Sequence, residues 1–236
     1  MARIGIVLCD HFDDDVEQAA GAALPDLHIA LLRGADPDLD FTVFDAVAGE
    51  LPGRDDRCDG YLVTGSRADA FADDLWILDL LAWIEEAHSR AARIIGVCFG
   101  HQAVARSLGG RVERAPGWKV GPHRLDLDAT PWFPSTSVHI NAMHRDVVTS
   151  LPDDATPLGT GSTAAIAAYR IGDTIIAVQD HPEYAAEITG HLIRRRRDMI
   201  GGSVADEGLE RLADVPTDGD VCAGLMVDFL LDRRRS

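Results

Sequence analysis

The chain has 236 residues, 46% of them hydrophobic, enough to bury a sizeable core in one large domain or two small ones. Its net charge of −17 repels phosphate backbones and excludes nucleic acid as a general partner. Four scattered cysteines (Cys9, Cys58, Cys98, Cys222) with no CxxC pair point to reduced thiols rather than a disulfide framework or structural zinc.

The opening "MARIGIVLCDHFDDD" turns acidic after one short apolar run, unlike a signal peptide or membrane anchor. A cytoplasmic location without membrane association is therefore expected. "RIGIVLC" (3–9) reads as a buried first strand, followed by "FTVFDA" (41–46) and "YLVTG" (61–65). Residues 75–89 set Leu75, Leu78, Leu81 and Trp83 among charges at helical spacing, which predicts a crossover helix. "RIIGVC" (93–98) is another buried strand, running at once into a helix-like "HQAVARSLGG" whose closing glycines suit a C-cap. Short β-branched runs alternating with amphipathic ones predict an α/β fold with a parallel sheet.

The middle third changes character. "RVERA", "HRLDLDA", "TSVHINAM", "AIAAYRI" and "TIIAVQD" read as short strands separated by turns, suited to antiparallel additions to the sheet. Helices return at 184–200, and again in "VADEGLERLAD" and "GDVCAGLMVDFLLDRRR". No repeat or low-complexity linker interrupts the chain, so a single domain over 1–236 is expected.

Gly96-x-Cys98-x-Gly100 at a strand-to-helix junction has the form of a nucleophile elbow with cysteine in place of serine. A sharp turn crowds the backbone, and side chains at the two flanking positions would collide with neighbouring strands. The sulfur also meets the N-terminus of the next helix, where unpaired N–H groups favour negative charge. A bare GxCxG reads equally as a buried structural cysteine. The second element, "TIIAVQDHPEY" (174–184), is a strand ending in His181-Pro182-Glu183. Side chains two apart on an extended backbone point the same way, so Glu183 can stand behind His181 and fix its tautomer. Together they make a Cys–His–Glu set.

"GVCFGHQ" and "QDHPEY" resemble the class I glutamine amidotransferases, whose triad cysteine lies in G-x-C-x-G-x-Q and whose histidine and glutamate lie in H-P-E. "YLVTGSRADAF", "RSLGGRVERAPGWKVG" and "AMHRDVV" are similar to the stand-alone branch related to the GMP synthase amidotransferase domain, which includes plant γ-glutamyl peptidases. The likeness is good over roughly 60–200 and looser before that. It implies a three-layer, flavodoxin-like α/β fold, an open and mostly parallel sheet with helices on both faces, and extra C-terminal helices at about 201–236. It also implies that Cys98 is the nucleophile, His181 the base and acid, and Glu183 its orienting partner. The oxyanion falls to the backbone N–H groups of Phe99 and Gly65, although this chain reads Thr64-Gly65-Ser66 where many relatives carry Gly-Pro. Gln102 and His144 are implied in binding substrate; for His144 a surface position is an equal alternative.

The implied reaction is hydrolysis of the γ-amide of glutamine or of a γ-glutamyl compound through a cysteine thioester. Ammonia would pass to a synthase subunit, or the chain would act alone as a γ-glutamyl peptidase. A non-catalytic regulatory protein and a flavodoxin-like cysteine protein are rivals on the same fold. No cofactor or metal is expected, since no HxH or HxxxH cluster exists, and a homo-oligomer stays open. "HFDDD" (11–15) reads as a solvated acidic loop, "RRRR" (194–197) as cations closing a helix, and His101 as a packing residue.

Overall fold

The computed structural model describes residues 1–235. The chain opens with β1 (Arg3–Leu8), α1 (Asp14–Ala20), α2 (Leu24–Ala35) and β2 (Asp40–Asp45). There follow β3 (Gly60–Val63), α3 (Leu75–Ser89), β4 (Ile94–Val97) and α4 (Phe99–Ser107). The strand-rich section holds β5 (Arg111–Leu127), β6 (Thr136–Ser150), β7 (Ala155–Gly161), β8 (Ala168–Ile171) and β9 (Ile175–Val178). Four helices close it: α5 (Ala186–Arg195), α6 (Arg197–Ile200), α7 (Gly202–Asp214) and α8 (Gly219–Leu230).

All nine strands join one sheet in the order β2-β1-β3-β4-β9-β8-β7-β5-β6. The pairings from β2 through β9 are parallel, and those from β9 through β6 antiparallel. The central strands β3 and β4 are buried throughout, as continuous apolar runs covered on both faces must be. Alternation along these strands divides the core. Tyr61, Val63 and Ile94 face a cluster with Ile77, Leu80 and Ile84 of α3 and Val104 of α4. Leu62, Ile95 and Val97 face the opposite cluster, with Leu32 of α2 and Val227 and Leu230 of α8. These are the two helical layers that the sequence implies. No helix among the described residues is long and apolar enough to cross a membrane.

Three local expectations hold only in part. The crossover helix spans residues 75–89 as predicted, but Leu75 and Leu78 are exposed, and Ile77, Leu80, Trp83, Ile84 and Ala87 form the buried face. Apolar residues surround this helix, so its sheet neighbours, not its own pattern, select the face. In the middle third β7, β8 and β9 are short strands with antiparallel pairings, as expected, but the segments before them are not. β5 and β6 are 17 and 15 residues long and pair across two register shifts, with Ala115–Trp118 at the second, so the turn-like "APGW" is a bulge inside one strand. The acidic stretch 11–15 is solvent-exposed, as expected, but a loop only over 11–13. Asp14 opens α1; Asp10 and Asp13 bind Arg67, and Asp13 and Asp15 bind Arg195 at the end of α5. The arginine run therefore ties α5 to α1 besides closing its own helix.

Candidate active site

Five neighbouring parallel strands end on one side of the sheet, and the carboxyl ends of β3, β4 and β9 lead into Gly65, Cys98 and His181. Cys98 follows β4 directly with φ 52° and ψ −100°, a left-handed conformation that a side chain adopts only under constraint. Both flanking glycines are sterically required. A Cβ on Gly100 would run into the carbonyl oxygen of Val63 on β3, as the sequence suggests. A Cβ on Gly96 would lie 2.6 Å from the Gly100 oxygen, so there the obstacle is the first turn of α4 rather than a strand. Gly100 N–H donates to the Thr64 carbonyl at 3.2 Å, and Thr64 Oγ1 accepts from Cys9 N–H at 3.0 Å. The turn after β3 is thereby fixed against the elbow. The N–H groups of Phe99 and Gly65 donate to no protein acceptor among the described residues.

His181 reaches the elbow from the end of β9. Its N–H donates to the Asn141 carbonyl at 2.8 Å, an isolated bridge that moors the turn to β6. His181 Nδ1 lies 2.7 Å from Glu183 Oε1, and both side chains are buried. The Tyr184 ring stacks flat on the imidazole at 4.1 Å. A Cβ on Gly65 would sit 2.7 Å from His181 Cε1 and 3.7 Å from Cys98 Cβ, so this glycine lies against both and admits no side chain. Burial disfavours a charged His181, but the Glu183 carboxylate and the neighbouring Cys98 outweigh it and raise its pKa well above the ordinary value. Burial likewise pushes Glu183 up, yet His181 and His28 overcome it and hold the carboxyl low.

The remaining candidates lie in the same place. Cys98, Gln102 and His144 line one cleft of about 680 Å³, together with Arg114, Arg145 and Arg196. His144 is buried, with Nε2 3.1 Å from Asp180 Oδ1, and Thr163 Oγ1 donates to the other oxygen of Asp180 at 3.0 Å. Gln102 Nε2 donates to the Asp146 carbonyl at 2.8 Å and to Gln179 Oε1 at 3.3 Å. Gln179 in turn points Nε2 at Cys98 Sγ, 3.7 Å away. His101 packs its ring 4.8 Å from Tyr169; burial and the nearby His144 lower its pKa to about 3, which suits a packing residue. No group of three or more metal-ligating side chains occurs among the described residues.

The sequence model of the family described as "Glutamine amidotransferase class-I" matches residues 57–197. The chain belongs to this family. The matched segment begins just before β3 and ends after α5, so it contains the elbow and the HPE turn. Among curated relatives of this class I amidotransferase, "Gamma-glutamyl peptidase 5" of Arabidopsis thaliana is 34% identical over 204 residues, covering 81% of each chain. "Gamma-glutamyl peptidase 4" of the same plant is 32% identical over 175 residues, covering 68% of each. Among solved structures, a glutamine amidotransferase from Thermotoga maritima superposes with a TM-score of 0.72 at 20% identity, over 98% of this chain and 97% of that one. At that identity the likeness bears on the fold, and it agrees with the layered α/β architecture.

Several residues at the site carry no signal in the sequence. Gln179 and Asp180 sit inside "QDHPEY", but only β9 pairing shows that one faces Cys98 and the other His144. A labelling experiment separates the four thiols. Burial raises Cys9 strongly, raises Cys222 to about 12 and, with Asp56, raises Cys58 to about 11. Cys98 alone lines the cleft, so stoichiometric alkylation followed by peptide mass spectrometry is expected to find it modified first. Prior modification of Cys58, the most exposed of the four, would contradict this.

Proposed function

We propose that this class I amidotransferase hydrolyses γ-glutamyl amides with Cys98 as nucleophile, His181 as base and acid, and Glu183 as the orienting carboxylate. The observation that carries the reading is that Cys98, which lines the cleft, lies beside the buried His181–Glu183 pair. Cys98 gives its thiol proton to His181 as Sγ attacks the γ-carbonyl carbon, and the developing oxyanion accepts hydrogen bonds from the N–H groups of Phe99 and Gly65. His181 gives its proton to the departing amine as the C–N bond breaks, leaving a γ-glutamyl thioester. Water then loses a proton to the same imidazole and attacks the thioester, releasing glutamate and restoring the thiol.

The proposal extends to the amine that leaves. The cleft has room well beyond a glutamine side chain, and Arg145 and Arg196 on its wall are paired to no carboxylate among the described residues. In a chain of net charge −17, two unpaired cations beside the nucleophile suit a substrate carboxylate. A γ-glutamyl peptide with a free C-terminus supplies one, in keeping with the peptidase names of the relatives. The chain then acts as one self-contained unit, without a synthase subunit.

Purified protein is expected to release glutamate from γ-glutamyl dipeptides unaided. Arg145→Ala is expected to raise KM about tenfold for a dipeptide with a free C-terminus, and little for its C-terminal amide, as loss of one charged hydrogen bond predicts. Equal increases would assign Arg145 to the carboxylate of the γ-glutamyl group instead. Pure protein inert toward the whole panel, but gaining glutaminase activity with added cell extract, would favour the ammonia-supplying subunit. Inertness combined with no labelling of Cys98 by a glutamine-like electrophile would favour a non-catalytic protein.

A further inference from the structure

The proposed triad ends at Glu183, but the polar chain does not. His28, on α2, is fully buried and brings its Nε2 to 3.5 Å from Glu183 Oε1. Neither ring nitrogen of His28 has a hydrogen-bond partner among the described residues, and Glu183 Oε2 also lacks one. Three bare polar atoms in one buried spot are costly, and a histidine is a poor filler where leucine would pack. At 3.5 Å the contact is longer than a formed hydrogen bond, yet catalytic contacts are often loose before substrate binds and tighten afterwards.

The surroundings hold this histidine rigidly. Its neighbours Ile29, Leu31 and Leu32 pack with α8 residues Met226, Val227 and Leu230 in one core cluster. The first residue of α8, Gly219, fits so closely that a Cβ there would meet the Pro182 oxygen at 2.6 Å and Leu31 Cδ1 at 3.7 Å. The HPE turn, α2 and α8 are thus locked together. Glu183 and His181 are the charged groups that act on His28. Burial lowers the pKa of His28 below that of a free imidazole, and the pull of Glu183 does not offset this.

We propose that His28 is a positioning residue that carries its ring proton on Nε2, donates toward Glu183 Oε1, and so fixes the carboxylate that orients His181. The proposal rests on the reading of Glu183 as the partner of His181. A neutral donor of this kind acts through its N–H dipole. It favours the carboxylate over the acid without competing, as a cation would, for the charge that supports the His181 imidazolium. Oε1 then lies between two ring nitrogens, His181 Nδ1 at 2.7 Å and His28 Nε2 at 3.5 Å.

Two measurements test this. In the unaltered protein, 15N NMR of labelled histidines is expected to find His28 as the neutral Nε2–H tautomer across the pH range of activity. A neutral ring protonated on Nδ1 would turn a lone pair toward Glu183 and overturn the proposal, whatever the enzyme proves to hydrolyse. In the second, His28→Leu is expected to lower kcat about tenfold, the scale on which partners of orienting groups act, with KM little changed. Without the donor, burial raises the Glu183 carboxyl, so the acidic limb of the pH profile moves to higher pH. His28→Gln, whose amide can reach the same oxygen, is expected to recover most of the rate and the original limb. Equal losses in both variants with an unmoved pH profile would make His28 a packing residue only. If Glu183→Gln itself leaves activity intact while the tautomer is as expected, the triad reading fails rather than the His28–Glu183 contact. If His28→Leu does not fold, the tautomer and the His28→Gln profile decide.

Discussion

Cys98→Ala is expected to lower kcat/KM by on the order of a millionfold, the scale seen when the nucleophile of a hydrolytic triad is removed. The size of the effect follows from the geometry at the elbow. Cys98 is held at φ 52° so that its sulfur leaves the end of β4 toward the cleft, and no neighbouring side chain can take its place. Cys9, the other thiol at a strand end, is 1% exposed, points its Sγ at the Val7 carbonyl, and is raised far above the ordinary range by burial. The alanine variant should still bind substrate, because the cleft arginines and the proposed oxyanion donors at Phe99 and Gly65 stay in place. Acid quenching of the unaltered enzyme with a slow γ-glutamyl substrate should trap a thioester on the peptide containing Cys98, and none in the variant. An alanine variant with a tenth of the normal rate, or a trapped acyl group elsewhere, would sink the nucleophile assignment.

The elbow and the HPE turn are legible because their chemistry is local. Gly96, Cys98 and Gly100 must be near one another whatever the fold, and a two-residue spacing places Glu183 beside His181. The same locality makes α3 readable from end to end. Its buried face is not readable, because Leu75 and Leu78 are as apolar as Ile77 and Leu80, and only the sheet beneath decides between them. β5 reads as fragments because Pro116 and Gly117 break the local strand signal, whereas the hydrogen bonds that carry the ladder past the bulge come from β6, far along the chain. The ion pairs of the acidic stretch at 11–15 are hidden for a similar reason. Its counter-ions, Arg67 and Arg195, are distant in sequence and near only after the sheet has formed. His28 is the extreme case. Nothing in "DLHIALL" distinguishes a buried polar side chain from an exposed one at that position, and its contact with Glu183 exists only because α2 packs beside the end of β9.

The second large effect separates the two partners of Cys98. His181→Ala is expected to cost nearly as much as removing the nucleophile, since thiol activation and protonation of the leaving amine both fail. Glu183→Gln should cost less, on the order of a thousandfold to ten-thousandfold, as when an orienting aspartate becomes an amide in a serine protease triad. The amide keeps the ring in place but withdraws the charge, and the sign of the accompanying pH shift follows from that. In the folded protein burial works against a proton on His181, while the Glu183 carboxylate, ahead of Cys98, holds one there. Without that carboxylate the imidazole releases its proton at lower pH. Protonation of the departing amine needs that proton, so the basic limb of kcat/KM should move to lower pH in Glu183→Gln. The two histidine-chain variants thus shift opposite limbs: Glu183→Gln lowers the basic one, and His28→Leu raises the acidic one. A Glu183→Gln profile that falls uniformly, with neither limb displaced, would mean that Glu183 supports the turn at His181 sterically and lends no charge to the imidazolium.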